Sequence, residues 1–398
     1  MTIKIIAIAD SHIGADRFGA TPERWDSPVA EAFQFAVDNK ADLVLSAGDF
    51  VDKRNPTVAE LLRRRNLLAI LGDIPFWEAD GNHDRSNAVG SHSALEIEES
   101  HPGRLFQGAI DRSEFKGLNI IGLPWPRPVD YLTEDQMTLS IDEKIRLARE
   151  RIMLILKHHM KEVTGPTILF GHAMLIYGAG ATEPTDPGLI LGKDVTLEYQ
   201  KMLDTGLTAN QTLLGHVHQR SPGYIGSTHP TDWSDWQDDK SFVELDIEKC
   251  KAPEDQHKHP GSTWCSNGWA YDVQRHSYSD QIRLHDIVLN ETDVISDQFV
   301  KTPIDVVRVT VNLAGNATAE DVEAEVRGLL NDRDNYARLD RVIINHPKRE
   351  AARVETEVAM ADMDPAEAFQ LWMGQAGYSA EDSKAPHAEF KALVEVGS

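Results

Sequence analysis

Cysteine is scarce: Cys250 and Cys265 are the only two in 398 residues. Two thiols cannot build a disulfide framework, which sets aside the small stapled folds and favours a reducing, cytoplasmic setting. Long apolar runs are also missing. No stretch approaches the ~20 residues that cross a bilayer, so no membrane role is expected. The opening MTIKIIAIAD lacks a basic start and a small-residue cleavage site, and reads as a strand and not as a signal peptide. Positive charge is in deficit: 40 Lys and Arg against 64 Asp and Glu give a net charge of −24. That balance argues against a broad surface for wrapping nucleic acid. It leaves room for a local basic groove, a bound divalent cation or a partner's help. No internal repeat is visible.

What is present is ordinary for a globular protein: 41% hydrophobic and 26% charged residues, in a chain long enough for two or three domains. The first half alternates. Strand patterns at 3–10, 42–49, 74–81, 118–125, 167–172 and 212–218 are interleaved with helical spacing at 29–40, 57–71, 142–162 and 196–206. Such alternation predicts a layered α/β core. Closing strands are expected at 223–228 and 241–247, and HPGR (101–104) reads as a turn. Residues 249–283 lose all period and read as a long loop or insertion. Strand patterns at 306–314 and 339–346 flank a helix at 318–331, a small α+β unit. Asp364, Pro365 and Glu367 then form a helix-capping pattern ahead of the run to residue 373. The expected division is 1–248, an insertion or linker at 249–300, a small domain at 301–363, and a C-terminal helix and tail at 364–398.

Chemistry concentrates in five short patterns: ADSH (Asp10, His12), AGDFVD (Asp49), GNHD (Asn82, His83, Asp84), FGH (His172) and GHVH (His216, His218). Each places a metal-competent side chain just after a strand-like run, where α/β folds keep their sites. D-x-H and H-x-H at a strand exit send both side chains to one side, because the strand period is two. Mixed carboxylate, imidazole and amide ligands suit Mn²⁺, Fe²⁺ or Zn²⁺. There are too many ligands for one ion. They suit two metals ~4 Å apart, sharing a carboxylate, the arrangement that hydrolyses phosphoesters. Asp49 is the natural bridge, and Gly48 beside it permits a close turn.

The order D-x-H, GDxxD, GNHD, GH, GHxH resembles the calcineurin-like metallophosphoesterase superfamily. GDFVDKRNPT, IIGLPWPRP (120–128) and YIGSTHPTDWSDWQDDKSFVELDI (224–247) are similar to its SbcD branch, the bacterial counterpart of the double-strand-break repair nuclease of archaea and eukaryotes. Residues 1–250 resemble that branch well, 300–375 only in outline, and 249–283 match nothing in it. The resemblance implies a four-layer α/β/β/α sandwich with a small C-terminal α+β capping domain. It implies one metal on Asp10, His12, Asp49 and His218, and another on Asp49, Asn82, His172 and His216, most expectedly Mn²⁺. His83 would be the general acid or transition-state stabiliser, oriented by Asp84, while a hydroxide activated by the two metals attacks phosphorus. Asp52 stands where archaeal and eukaryotic relatives carry a histidine, which bears on branch and not on activity. The implied function is DNA cleavage, as 3'-5' exonuclease and single-strand endonuclease, beside an SbcC-type coiled-coil ATPase and in a homodimer. Helices near 57–71 and 91–100 are the candidate dimer elements. A small-molecule phosphodiesterase or nucleotidase on the same metal site is the alternative.

Lys53, Arg54, Arg85, Arg127 and Arg220 fall beside or just after the motif loops, which favours a phosphate-rich ligand. LLRRRN (61–66) reads as an exposed helix face. Phe369, Trp372 and Met373 share one helical face, either core packing or the docking face for the ATPase. Three other features are set aside. GLILGKD (188–194) has the wrong glycine spacing for a phosphate loop and no Ser or Thr after Lys193. Cys250, His257, His259 and Cys265 have an unusual spacing for zinc and read as a solvated loop. His158 and His159 read as structural or exposed.

Overall fold

The apolar run IKIIAI forms strand β1 (Ile3–Ile8), and nearly every residue of it is buried. Layers cover both of its faces, so it shows no apolar–polar alternation. The computed structural model describes residues 2–85, 93–97, 101–176, 194–208, 211–234, 237–250, 264–266, 268–290, 306–312, 322, 324, 326 and 339–345. The chain divides into two compact units, Met1–Leu284 and His285–Ser398.

After β1 come helix α1 (Pro22–Asp38), strand β2 (Leu43–Ser46), helix α2 (Val58–Ile70) and strand β3 (Phe76–Ala79). Strands β4 (Gly103–Phe106), β5 (Asp111–Phe115) and β6 (Leu118–Leu123) follow, then helices α3 (Pro128–Tyr131) and α4 (Ile141–Glu162). Next are β7 (Thr167–His172), the short pair β8 (Leu175–Ile176) and β9 (Leu197–Glu198), helix α5 (Tyr199–Leu203) and β10 (Thr212–Gly215). Strands β11 (Ser241–Lys249), β12 (Trp264–Ser266) and β13 (Trp269–Ser277) complete the first unit.

Among the described residues, one sheet has the order β12-β13-β11-β1-β2-β3-β4 and a second has the order β10-β7-β6-β5. Strand period separates their faces. Ile3, Ile5 and Ala7 of β1 and Leu43 and Leu45 of β2 meet Leu118, Ile120, Ile168, Phe170 and Leu213 of the second sheet between the layers. On the outer face of the second sheet, Ile121, Leu169 and Leu214 pack against Ala148, Ile152 and Leu156 of α4. Those α4 residues and Ile145 recur at helical spacing, and Ser140 caps the helix by accepting from Glu143 N. Helix α1 lies on β1, and its Phe33 ring meets Phe76 at 5.6 Å. The result is the four-layer α/β/β/α arrangement.

The second unit holds a three-stranded sheet of β14 (Leu284–Asn290), β15 (Val306–Asn312) and β16 (Leu339–Asn345), with helical residues at 322, 324 and 326. It is small and α+β. Residues 364–398, including Phe369, Trp372 and Met373, lie outside the described residues, as do 188–193, His257 and His259.

Several elements depart from the sequence-based expectation. Helix α1 starts at Pro22, not at 29, because Thr21 caps it and Pro22 occupies the first turn. Residues 223–228 make isolated bridges at Tyr224 and no strand, since Gly223 and Gly226 adopt φ of 86° and 92°. Gly103 and Arg104, expected in a turn, begin β4, and β5 was not anticipated. Residues 196–206 hold the two-residue β9 and the short α5. Strands β12 and β13 arise inside 249–283, where a loop was expected. Strand β13 is half exposed, so its residues lack the apolar signature of the central strands. Its Tyr271 hydroxyl accepts from Thr167 N at 2.9 Å and so ties the two sheets together. Cys250 is disulfide-bonded, whereas the sequence reading expected thiols.

Candidate metal centre

Strand ends deliver the site. Asp10 and His12 lie beyond β1, Asp49 beyond β2, and Asn82 and His83 beyond β3. His172 ends β7, and His216 and His218 follow β10. Strands β1, β2 and β3 are parallel, as are β7 and β10, so the C-terminal ends of both sheets meet here. The backbone bends hard at that edge: Asp10, His12, Asp49 and His216 adopt φ of 50°, 46°, 51° and 89°. Such angles cost non-glycine residues about 1–3 kcal/mol each and persist only where the surroundings hold them. Here His12 N donates to Asp49 O at 3.0 Å and Ile13 N to Phe50 O at 2.9 Å, zipping two motif loops together. Two glycines admit the close approach. A Cβ on Gly48 would stand 2.4 Å from the His172 ring, and one on Gly81 would stand 2.1 Å from Asp49 Oδ1.

All seven expected ligands converge. Asp10, His12 and His218 offer ligand atoms within 4.8 Å of one another, as do Asp10, Asp49 and His172. Asp49 Oδ2 faces both halves, 3.3 Å from His172 Nε2 and 4.0 Å from His12 Nε2. Its other oxygen accepts from His83 N at 2.7 Å. Asn82 Oδ1 lies 3.0 Å from His172 Nε2 and 3.2 Å from His216 Nδ1. Asp10 accepts from His216 N through both oxygens.

The donor set fits bound cations. His172 Nδ1 donates to Ala47 O at 2.9 Å, so its Nε2 presents a lone pair. That lone pair faces two oxygens, which only a proton or a metal reconciles. Burial disfavours the imidazolium, but the charges of Asp49 and Asp10 outweigh it and raise His172 to about 9. His12 Nε2 and His218 Nε2 confront each other at 3.3 Å. His216 Nε2 is buried with no hydrogen-bond partner. Burial, then the His172 charge, push His216 down to about 3, and burial with His12 holds His218 well below its ordinary value. Burial raises Asp10 to about 6. Burial acts on Asp49 too, yet His172, His12 and His83 hold it well below the usual carboxylate range. His216 and His218, held neutral, and the deprotonated Asp49 are in the states a divalent metal requires of its ligands, while His172 and His12, raised by the neighbouring carboxylates, would give up a proton to a bound cation.

The sequence profile of the calcineurin-like phosphoesterase family matches residues 3–220, more than half of the chain. The chain belongs to the calcineurin-like phosphoesterase family. Two curated proteins share shorter stretches with this phosphoesterase. The DNA double-strand break repair protein Mre11 of Methanosarcina acetivorans is 40% identical over 86 residues, 21% of this chain and 14% of that protein. Its counterpart in Methanosarcina mazei is 37% identical over 91 residues, 22% of this chain and 15% of that protein. The chain thus spans about a seventh of the length of each curated relative it matches. Among solved structures, a dimetal phosphatase from Danio rerio is similar at 12% identity and a TM-score of 0.39, covering 70% of this chain and 99% of that one.

The phosphoesterase site differs from the sequence-based expectation around His83. Asp84 does not contact that ring. Its buried carboxylate accepts from Gly81 N at 2.8 Å and Val51 N at 3.1 Å, and so pins the loops on which Asn82, His83 and Asp49 sit. The His83 ring instead sets Nδ1 2.7 Å from Asp52 O. A carboxylate next in sequence to a histidine readily suggests a pair, but two backbone N–H groups compete for it and win.

The expected phosphate-binding cations divide. Arg54 is exposed and donates to Asn82 O at 3.2 Å, beside the candidate ligands. Lys53 is exposed, 3.5 Å from Glu60. Arg127 is buried, bonded twice to Asp130 at 2.7 and 2.6 Å. Arg85 sits 3.5 Å from Asp80 and 3.9 Å from Asp130. Arg220 pairs with Asp238 and Asp239 at 3.5 and 3.6 Å. In so acidic a chain, adjacency to a motif does not keep an arginine from a carboxylate.

Two supports of the site were not anticipated. Trp125, after β6, sets its ring 4.6 Å from His216 and 5.7 Å from His172, walling one side of the site. Lys240, fully buried, donates to His218 O at 2.9 Å. The proline-flanked aromatic in LPWP carried a signal for the first; a lone lysine in a polar loop carried none for the second.

Proposed function

We propose that this phosphoesterase is a metal-dependent DNA nuclease. The convergence of Asp10, His12, Asp49, Asn82, His172, His216 and His218, with Asp49 Oδ2 turned to both halves, supports a dinuclear site. When bound, two cations, Mn²⁺ in this reading, would supply an activated water and charge neutralisation at the phosphoryl oxygens. Asp49 would bridge them, with Asp10, His12 and His218 on one side and Asn82, His172 and His216 on the other. His83 would stay outside both ligand sets and donate a proton to the leaving oxygen. Its Nδ1–H is held by a carbonyl, which leaves Nε2 as the exchanging nitrogen. Arg54, on the Asn82 carbonyl, would meet a substrate phosphate. The short matches to Mre11 support DNA as substrate, and an SbcC-type ATPase, engaged through residues 364–398, would supply the basic surface this chain lacks. A homodimer is part of the same reading.

One observation favours a second reading. Arg85, Arg127 and Arg220 are committed to aspartates, so the site offers a weaker positive field than a long polyanion calls for. A small phosphodiester or nucleotide would need less.

The test is a substrate panel on the purified chain with Mn²⁺. Linear DNA should be degraded. His83→Ala should lower the rate by about 10²–10⁴-fold with metal content unchanged. Hydrolysis of cyclic nucleotides with no action on DNA would establish the second reading instead.

A further inference from the structure

Asp52 is the second carboxylate of GDFVD, three residues beyond the bridging Asp49. It is mostly buried, and its backbone is fixed by its own N–H, which donates to Ile13 O at 3.0 Å. Two histidines with different duties meet it. Asp52 Oδ1 lies 3.3 Å from His12 Nδ1, at ion-pair distance, and that buried nitrogen makes no hydrogen bond. The Asp52 carbonyl lies 2.7 Å from His83 Nδ1. The His12 and His83 rings stand edge to face at 4.8 Å. Together His12, Asp52 and His83 form a third cluster of ligand-type atoms beside the two already described.

A third ion there would need Nδ1 of His12 and Nδ1 of His83 stripped of protons. The Asp52 carbonyl, however, can only accept, and so fixes a proton on His83 Nδ1. A carboxylate 3.3 Å away favours the proton of His12 on Nδ1 through its charge. That frees His12 Nε2, which faces His218 Nε2 at 3.3 Å across the metal site. A ligating imidazole whose remote N–H is held by a carboxylate is oriented and made a better donor.

Arg17 extends the arrangement. One of its nitrogens donates to Asp52 Oδ1 at 3.2 Å and the other to Thr231 O at 3.0 Å. The Thr231 hydroxyl in turn contacts His218 Nδ1. One guanidinium therefore braces the supports of both His12 and His218, from loops separated by some 200 residues of sequence (His12 and Thr231). It also prevents Asp52 from turning away to solvent.

We propose that Asp52, braced by Arg17, is a positioning residue with two outputs. Its carboxylate orients His12 toward the cation shared with Asp10 and His218, and its carbonyl fixes the tautomer of His83. The inference rests on the dinuclear reading given above. It predicts an asymmetric defect. Removing the carboxylate weakens one metal subsite and leaves the Asn82–His172–His216 subsite intact, while His83 keeps its backbone partner.

The experiment is a Mn²⁺ titration of the full chain, followed by equilibrium dialysis and electron paramagnetic resonance. Wild type should bind two ions and show an exchange-coupled spectrum. Asp52→Ala should weaken one of the two by about 10–100-fold and convert the spectrum to that of isolated Mn²⁺. Asp52→Asn, which keeps an acceptor oxygen and nearly the same shape, should recover part of the lost affinity, and Arg17→Met should shift it in the direction of Asp52→Ala. Raising Mn²⁺ to saturation should bring Asp52→Ala hydrolysis back to within about tenfold of wild type, a rescue that a folding defect would not show. Two ions bound by Asp52→Ala with wild-type affinity would overturn the proposal. So would an equal loss at both subsites in the isosteric Asp52→Asn. Wild type binding fewer than two ions would overturn the dinuclear reading itself, and that appears in the titration before any variant is made.

Discussion

Asp49 uses every part of its side chain: one oxygen accepts from His83 N, the other faces two histidines, and Gly81 leaves the room for both. Single residues of this kind were well marked in the sequence, because a carboxylate or imidazole just past an apolar run has few structural uses. Residues that act through others were not. Asp52, Arg17 and Thr231 are common surface types, and their partners lie up to 214 positions away, as Thr231 does from Arg17. His229 is a further case. It is buried, its Nε2 donates to Trp25 O at 3.1 Å, and its Nδ1 accepts from Ile282 N at 3.1 Å. Burial, against the hydrogen bond to Trp25, lowers its pKa to about 3. The unfolded chain therefore binds a proton at about pH 6.5 that the folded chain refuses until about pH 3. Stability should fall as pH drops through that window, by ~1.4 kcal/mol per unit for this one group. His229→Gln, which keeps a donor and an acceptor without titrating, should lose stability less steeply between pH 6.5 and 4. Urea unfolding at pH 7 and pH 5 measures the difference; equal slopes would remove His229 from the account.

At the scale of elements, legibility followed environment. Strands β1, β2, β6 and β7 were visible because burial on both faces demands unbroken apolar runs. Helix α2 was visible because Thr57 and Glu60 form a reciprocal capping box. Strands β5 and β13 were not, since their partly exposed residues can be polar without penalty. Helix α4 carries the outer layer of the second sheet, and Ile152, fully buried, is central to that contact. Ile152→Ala should destabilise the first unit by about 2–5 kcal/mol, through lost transfer energy and the cavity left behind. Chemical denaturation checks this. Metal content should not change, because α4 lies on the face of the second sheet away from the interlayer core.

For the whole molecule, the site is a seam. Neither sheet alone holds all the candidate ligands: the first contributes Asp10, His12, Asp49 and Asn82, the second His172, His216 and His218. Bound cations would therefore tie the two halves together as well as serve chemistry. Mn²⁺ at about a hundredfold over its dissociation constant should stabilise the fold by ~2.7 kcal/mol per independent site. Stripping with a chelator should lower the thermal midpoint by several degrees, and Asp49→Asn should respond less. A midpoint indifferent to Mn²⁺ in the wild type would count against a metal shared between the sheets.

The sequence by itself determined the chemistry of the ligands, their order and their place at strand exits, because those are local facts: a residue type, a glycine, an apolar run. The tertiary structure alone decided which groups surround the candidate ligands and which arginines are spent on aspartates. Those outcomes turn on competition among groups brought together from distant loops. A carboxylate beside His83 in sequence went to two backbone amides, and one three residues from Asp49 went to Arg17. Proximity in space, and not along the chain, sets which hydrogen bond a buried polar group makes.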